Sequence, residues 1–370
     1  DEVAIDLVTF NYYNKKWTDS IVYGAFIIKK DSEFPKYISL FEERQLEFLL
    51  YKNKEAKESD LINKQYSTKS ISDLFLKPLE SDLKGVKTIY LSPSGLGHQI
   101  DFNALQLTET KTFGESYNIH ILGSTSELVN YKVTSLDKNK NIELLLYGGI
   151  DFDKSDSSVN SEVILTDFNE MATRSGISGW NYLEGTVNEI NQIATKAKQN
   201  NFKAEIKTNR DATEESIKKL DGKSTPYVLH LATHGFFFPD PEQEIIEEKW
   251  LSSDEMTKAK IYKTSEDPMM RSGLLLAGAN KYWKKTSEEQ NTDDGILTAK
   301  EISNLDLSAC ELVVMSACET GLGDIKGSEG VFGLQRAFKM AGVKNIIMSL
   351  WKVPDAQTSE LFDVFYEECF

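Results

Sequence analysis

Tyr227-Val-Leu-His-Leu-Ala-Thr-His234-Gly235 is a short apolar run that ends on a histidine and a glycine. A continuous apolar run of this length predicts a strand that is buried on both faces. A second segment has the same form and reads Glu311-Leu-Val-Val-Met-Ser-Ala-Cys318-Glu-Thr-Gly321. Strands of this kind belong to parallel sheets that helices cover, so the two segments predict an α/β fold with a mainly parallel sheet.

Strands and helices alternate from about residue 140 onward, which is the order that a parallel sheet requires. Residues 142–147 and 344–351 are further predicted strands. Predicted helices lie at residues 187–197, after the capping pattern Asp211-x-x-Glu214, after Thr298-x-x-Glu301, at residues 328–342, and from Asp355 onward. We therefore assign residues 140–370 to one lobe.

The N-terminal third differs, because strand-like segments rich in Val, Ile, Tyr and Phe come before its helices. The predicted strands are residues 3–10, 21–28, 36–41 and 86–91. The predicted helices are residues 42–63 and residues 71–84, the second of which is interrupted at Pro78. The strand at 86–91 runs into Ser92-Pro-Ser-Gly95, a turn that carries no cysteine. We assign residues 1–135 to a second lobe without catalytic residues.

Composition excludes several classes of function. The 370 residues carry a net charge of −16, whereas nucleic-acid binding requires a basic surface and anionic membranes repel acidic proteins. We therefore expect neither nucleic acid nor membrane as a partner. The three cysteines form no disulfide framework, and we find no signal peptide or membrane-spanning run, which together predict a cytoplasmic protein.

The two apolar strands end in residue types that can perform thiol chemistry. A cysteine becomes a strong nucleophile when a neighbouring imidazole accepts its proton, and His234 and Cys318 each follow a buried strand. Gly235 allows close approach of a substrate to the backbone, and the amides of Gly235 and Cys318 are candidate oxyanion donors. Because sites in parallel sheets form at the carboxyl ends of strands, we expect the two side chains to face each other.

The motifs His230-Leu-Ala-Thr-His234-Gly235 and Ser316-Ala-Cys318-Glu-Thr-Gly321 resemble the two signatures of the CHAT peptidase family, which is caspase-like and related to separase. Four further segments resemble the family in the same order. They are Tyr90-Leu-Ser-Pro-Ser-Gly-Leu-Gly-His98, Ser272-Gly-Leu-Leu-Leu-Ala-Gly-Ala-Asn280, Gly327-Ser-Glu-Gly330 through Ala341-Gly342, and Ser349-Leu-Trp351-Lys-Val-Pro-Asp355.

The resemblance implies a bacterial cysteine endopeptidase of clan CD with His234 as base and Cys318 as nucleophile, and it implies no cofactor. It gives His230 a structural role and makes residues 1–135 a degenerate, caspase-like support lobe. It also implies upstream tetratricopeptide repeats, which together with a regulatory protein would control the enzyme. The family continues beyond the equivalent of Phe370, so we expect this chain to be truncated at that end.

The resemblance also suggests residues that select the substrate. Asp355 lies in a turn similar to one in separase, where an acidic residue helps to receive a basic P1 side chain, and an aspartate in this position is also a good helix cap. Glu319 and Asp324 are weaker candidates for the same role. The acidic segment 239–270 is predicted to be a long loop and is either a lid over the site or a passive insertion.

Other functions fit the sequence less well. His230, His234, Cys310 and Cys318 are a possible zinc ligand set, but there is no Cys-x-x-Cys pair, so we predict no metal site. The glycines after Cys318 miss the dinucleotide fingerprint at Lys326. The serious alternative to a peptidase is a CHAT-like domain that has lost activity and serves as a scaffold or sensor.

Overall fold

The computed structural model describes residues 1–30, 32–51, 58–129, 142–153, 179–238, 258–283, 293–316, 324–325, 331–350 and 355–370. Within these ranges it describes the backbone alone at residues 58–61, 223, 258–259, 324–325, 331–332 and 355–356. The chain forms two compact units, which are residues 1–134 with 325–331, and residues 135–324 with 332–370.

The N-terminal unit contains a five-stranded mixed sheet. Its strands are β1 (Glu2–Tyr13), β2 (Trp17–Lys29), β3 (Lys36–Glu42), β4 (Thr88–Ser92) and β5 (Asn118–Ile121), in the order β3-β2-β1-β4-β5. β1, β2 and β3 pair antiparallel, whereas β4 and β5 join in parallel. Every second side chain of β1 is buried from Val3 to Leu7, as expected for a sheet with one face in a core.

Short helices cover that buried face. They are α1 (Glu43–Tyr51), α2 (Glu58–Ser67), α3 (Ser70–Phe75) and α4 (Phe113–Ser116). Tyr23 of β2 stacks on Phe41 with ring centroids 4.6 Å apart, and Phe75 of α3 meets both rings edge-on. This aromatic cluster joins the helices to the sheet.

The C-terminal unit is built on a second five-stranded sheet in which every pairing is parallel. Its strands are β6 (Glu143–Ile150), β7 (Lys203–Asn209), β8 (Val228–Leu231), β12 (Leu312–Met315) and β15 (Asn345–Met348), in the order β15-β12-β8-β6-β7. A smaller antiparallel sheet of this unit contains β9 (Gly235–Phe237), β10 (Ser272–Leu275) and β11 (Ile296–Thr298). Elsewhere in the chain, β13 (Asp324–Ile325) pairs with β14 (Val331–Phe332).

Helices cover both faces of the parallel sheet. They are α5 (Glu184–Gln199), α6 (Glu214–Lys218), α7 (Lys258–Lys263), α8 (Ala279–Trp283), α9 (Ala299–Ile302), α10 (Leu334–Met340) and α11 (Asp355–Cys369). Leu144 and Leu146 of β6 pack with residues of α5 and α11, whereas Leu145 and Tyr147 lie in the core formed with α6, α9 and α10. The predicted α/β architecture with a parallel sheet flanked by helices is confirmed. None of the helices in the described ranges is long and apolar enough to cross a membrane.

Two local predictions are wrong. The helix expected from residue 328 begins at Leu334, after the β14 pairing and an extended Gly333. The helix expected to begin with an Asp211–Glu214 capping box is instead capped by Thr213, which accepts a hydrogen bond from the Ser216 amide. Glu214 does not return to the cap, because its side chain turns inward and accepts from the Gly295 amide at 2.8 Å. The Thr298–Glu301 capping box is confirmed.

Residues 275–280, which we call the strap, run across the carboxyl ends of three parallel strands. The strap donates backbone hydrogen bonds to loops that follow β6, β7 and β8, and to the residue before β11. The acceptors are the carbonyl groups of Asp151, Phe152, Ala212, His234 and Gly295, at 2.7–3.1 Å. The strap therefore fixes the loops at the edge of the sheet where a site is expected.

Gly295 makes the close approach of the strap possible. Its φ of +79° lies in the left-handed region, and a Cβ there would lie 2.7 Å from the Ala279 nitrogen and 2.8 Å from the Ala277 oxygen. We expect Gly295→Ala to lower the free energy of unfolding by about 2 kcal/mol or more, because backbone strain and a backbone clash combine. Chemical denaturation measures this loss.

Gly222→Ala is the matched control, since Gly222 also has a positive φ (+54°) but its nearest contact would be the Asp306 carboxylate at 3.4 Å. This variant should lose about 1 kcal/mol, the strain component alone. Equal losses in the two variants would show that the strap does not require the absence of a side chain at Gly295.

Candidate active site

The two strands that end in the sequence motifs are neighbours in the parallel sheet. β8 and β12 pair in register, with Leu231 opposite Met315, and the Ser316 amide donates to the Leu231 carbonyl at 3.0 Å. His234 follows Leu231 by three residues, and Cys318 follows Ser316 by two. The fold thus brings the two chain segments to adjacent positions at one edge of the sheet.

His234 lies between β8 and β9 and is half-buried. Its carbonyl accepts a hydrogen bond from the strap residue Leu275 at 2.9 Å. The preceding residue, Thr233, is 1% exposed, and its hydroxyl donates to the Leu275 carbonyl. Hydrogen bonds on both sides of Leu275 therefore fix the backbone that carries the imidazole.

The imidazole of His234 has a defined hydrogen-bond partner. Its Nε2 lies 2.8 Å from the Asn181 carbonyl oxygen. A carbonyl oxygen can only accept, so Nε2 carries the proton and Nδ1 is the basic nitrogen of the neutral ring. This arrangement is suited to proton exchange with a thiol through Nδ1, and the same carbonyl stabilises the imidazolium that forms when Nδ1 is protonated.

Aromatic side chains surround the His234 ring. Phe152 and Trp180 lie with ring centroids 5.2 Å and 5.1 Å from it, and Trp180 meets Trp283 edge-on at 5.4 Å. Phe152 follows β6, and Trp283 ends α8. The rings restrict the orientation of the imidazole and remove water from one side of it.

His230, the first histidine of the same motif, lies within β8 and has an environment different from that of His234. It is fully buried, with Nε2 2.7 Å from Glu189 of α5 and Nδ1 3.1 Å from the Tyr366 hydroxyl of α11. Burial raises the pKa of Tyr366 well above its usual range, so the hydroxyl keeps its proton and either donates to Nδ1 or accepts from it. Nε2 donates to the Glu189 carboxylate, and both ring nitrogens of His230 serve to join the sheet to its helices.

A buried acidic group lies beneath the strap. Glu214 is 1% exposed and accepts from the Gly295 amide, while its other carboxylate oxygen contacts Lys218. Burial raises the pKa of Glu214 to about 7, against the opposing effect of Lys218. Partial burial lowers the pKa of Lys218, but hydrogen bonds to Glu214 and Glu301 outweigh it and raise that pKa overall. Through the Gly295 amide, this cluster supports the backbone to which the strap residue Leu276 is hydrogen-bonded.

The remaining predicted residues are placed as follows. Gly235 is the first residue of β9 and lies opposite Leu274 of β10, the strand that leads into the strap. Cys318 and Glu319 lie outside the described residues, as does most of the loop after the nucleophile. Asp324 begins β13 and Asp355 begins α11, and both are described by backbone position only. Residues 239–257 of the predicted lid are also outside the described ranges, whereas residues 258–270 include α7.

Of the possible zinc ligands, Cys318 lies outside the described residues, and Cys310 and His230 have surroundings different from those of His234. Cys310 is buried at the start of the β12 segment, the opposite edge of the sheet from His234, and both ring nitrogens of His230 have protein partners. Within the described part of the chain, no group of three or more His, Cys, Asp or Glu residues has the arrangement of a metal site.

The sequence matches the CHAT domain family over residues 65–369, which is more than half of the chain. The chain belongs to the CHAT domain family. This family is caspase-like and related to the clan CD peptidases, and its match spans both predicted signature motifs. A comparison with curated proteins gave no match.

Three residues around the CHAT-family histidine were not identified from the sequence. Trp180 and Asn181 fall at the end of a polar segment that resembles an ordinary surface loop, and no pattern marks them. Asn280 ends the Ser272–Asn280 motif, so the family resemblance marked its position but not its role. Each depends on contacts between loops that are distant in sequence.

The Glu189–His230 pair provides a test of the structural role assigned to the first histidine of the motif. Glu189→Ala leaves the buried Nε2 of His230 without its acceptor, so we expect the free energy of unfolding to fall by about 1–3 kcal/mol. Asn191→Ala, on the exposed side of the same helix, should change it by less than about 0.5 kcal/mol. Denaturant melts of both variants measure this, and equal stabilities would show that the buried pair contributes nothing.

Proposed function

We propose that this chain is a cysteine endopeptidase in which Cys318 is the nucleophile and His234 exchanges its proton. The observation that carries the proposal is the position of His234 at the carboxyl end of β8, beside the parallel strand that leads to Cys318. Two residues of chain reach at most about 7 Å, so Cys318 stays near the Ser316–Leu231 hydrogen bond. Because the Asn181 carbonyl accepts the Nε2 proton of His234, Nδ1 is the ring nitrogen that would accept the proton of the thiol.

The proposed reaction proceeds through a thioacyl-enzyme. The Cys318 sulfur attacks the carbonyl carbon of the scissile peptide, and the oxygen becomes an oxyanion that the amides of Gly235 and Cys318 stabilise. The carbon–nitrogen bond then breaks, and His234 gives the proton from the thiol to the leaving amine. Water attacks the thioester, loses a proton to His234, and releases the acid and the free thiol.

Control of the enzyme belongs to the same proposal. Residues 1–135 form a non-catalytic, caspase-like support lobe, and a regulatory protein or upstream tetratricopeptide repeats switch the activity. The acidic segment 239–270 follows the histidine motif directly and acts as a lid that such a partner rearranges.

Alkylation tests the dyad without any knowledge of the natural substrate. Burial raises the pKa of Cys310 to about 12 and also raises that of Cys369, so both thiols should react slowly near neutral pH. We expect iodoacetamide to modify Cys318 at least about tenfold faster than either, because an imidazole that stabilises the thiolate increases its fraction. Peptide mapping by mass spectrometry gives the three rates.

His234→Ala should reduce the Cys318 rate to that of an ordinary thiol, whereas His120→Ala, which removes a half-buried histidine of the N-terminal unit, should leave it unchanged. If Cys318 reacts no faster than Cys369 in the wild type, the dyad is not formed. The chain is then better described as the inactive scaffold or sensor considered from its sequence.

Substrate choice is proposed to depend on Asp355. This residue begins α11, just past β15, which pairs with the Cys318 strand β12. A carboxylate at this position would favour Arg or Lys at P1, since a hydrogen bond to a charged group contributes about 1.5–3 kcal/mol. We expect Asp355→Asn to lower kcat/KM for basic P1 peptides by about 10- to 100-fold, measured with a peptide library varied at P1.

Asp363→Asn is the matched control, because Asp363 lies further along α11 and pairs with Lys196. It should retain the basic preference. A basic preference that survives in Asp355→Asn removes Asp355 from the pocket and leaves Glu319 and Asp324 as the acidic candidates. A wild-type preference for acidic or apolar P1 residues contradicts the role for all three.

A further inference from the structure

The side chain of Asn280 holds the backbone of Trp180 on both sides. Its Oδ1 accepts a hydrogen bond from the Trp180 amide at 2.7 Å, and its Nδ2 donates to the Trp180 carbonyl at 2.9 Å. The same Nδ2 donates to Asp153 at 2.9 Å, and Asn280 is only 6% exposed. The amide therefore pairs with one residue of a distant loop as a neighbouring strand would.

The loop held in this way is the one that contacts the histidine. Asn181, the next residue, provides the carbonyl that lies 2.8 Å from His234 Nε2, and the Trp180 ring lies 5.1 Å from the imidazole. Helix α8 presents a second contact three residues after Asn280, where the buried Trp283 meets the Trp180 ring. One turn of α8 thus holds both the backbone and the ring of Trp180.

Asn280 is itself fixed by the strap. Its backbone amide donates to the Phe152 carbonyl at 3.0 Å, and two residues earlier the Gly278 amide donates to the Asp151 carbonyl at 3.1 Å. The strap also bonds to the carbonyl of His234 through Leu275. The strap therefore holds both the backbone of His234 and, through Asn280, the loop that provides the acceptor of the His234 proton.

We propose that Asn280 is a positioning residue that places the Asn181 carbonyl as the acceptor of the His234 Nε2 proton, so that the imidazole is held in the orientation and tautomer that proton exchange with the thiol requires. The inference rests on the proposed function only for its effect on Cys318, since the effect on His234 itself can be measured without catalysis. Asparagine is suited to this position because the two Trp180 hydrogen bonds require a donor and an acceptor on one short side chain.

Asn280→Ala and Asn280→Leu test the inference together. Both remove the donor and the acceptor, but leucine keeps the branched shape of asparagine and leaves no cavity. An effect shared by both variants reports the lost hydrogen bonds, and an effect of alanine alone reports packing. Asn345→Ala is the control, because its amide also bonds a backbone carbonyl, that of Glu311, at the opposite edge of the same sheet. Circular dichroism melts select the variants that are folded at the assay temperature.

The first measurement is NMR of the full chain with ¹⁵N-labelled histidine. The chain has four histidines, and His234→Gln identifies the signal of His234. We expect hydrogen exchange of the His234 Nε2 proton to accelerate about tenfold or more in both Asn280 variants, since the fixed acceptor is lost. The control should exchange as the wild type does.

The second measurement is the pH profile of Cys318 alkylation by iodoacetamide. An imidazolium that loses its carbonyl acceptor is less stable, so the limb of the profile set by loss of the imidazolium proton should move to lower pH in both variants. The alkylation rate at neutral pH should fall by about 10- to 100-fold, the range expected for a small misplacement of a catalytic group.

The outcomes separate the two proposals. If folded Asn280 variants keep the wild-type His234 exchange rate, the positioning role is wrong, whatever the reactivity of Cys318. The inference also fails if hydrogen exchange of His234 accelerates but the pH profile of a reactive Cys318 stays as in the wild type. Asn280 would then hold the imidazole without affecting the reactivity of the thiol. If Cys318 is unreactive in the wild type, the proposed function fails, while the exchange rates still decide whether Asn280 positions His234.

Discussion

The parallel pairing of β8 with β12 is the constraint on which the C-terminal unit depends. It brings together segments that lie far apart in the chain, and its register places Leu231 opposite Met315. Because both strands run in the same direction, their carboxyl ends open at the same edge, and every loop that follows them must be accommodated there. The apolar residues on both faces keep the two strands buried between helices, so this register cannot slip without exposing the core.

The two histidines of one motif show how position on a strand decides the role of a side chain. His230 points into the core formed with α5 and α11, where Glu189 and Tyr366 satisfy both of its ring nitrogens. His234 lies beyond the end of β8, where the chain has left the core and meets the strap and the Trp180 loop. The first can only stabilise, since an unpaired polar group there would be costly, whereas the second is half-buried at the edge of the sheet where sites form.

Much of the fold could be predicted from local pattern. The continuous apolar runs gave the buried parallel strands, and the Thr298–Glu301 pattern gave a true capping box. The same pattern at Asp211–Glu214 failed because the Gly295 amide and Lys218 draw Glu214 into the interior. A capping pattern predicts only the hydrogen bonds within a local turn. Hydrogen bonds of similar strength to residues distant in sequence can draw one of the capping side chains away from the turn.

By itself, the sequence determined the fold class and the family and predicted the histidine and the cysteine of the dyad, because strand burial and short motifs are encoded in neighbouring residues. Only the tertiary structure decided that Asn280 meets Trp180, 100 residues away, and that Asn181 provides the acceptor for His234. Trp180 and Asn181 lie in an irregular loop whose conformation has no periodic signal. Its shape is set by hydrogen bonds to the strap, and these exist only once the parallel sheet has brought the loops together.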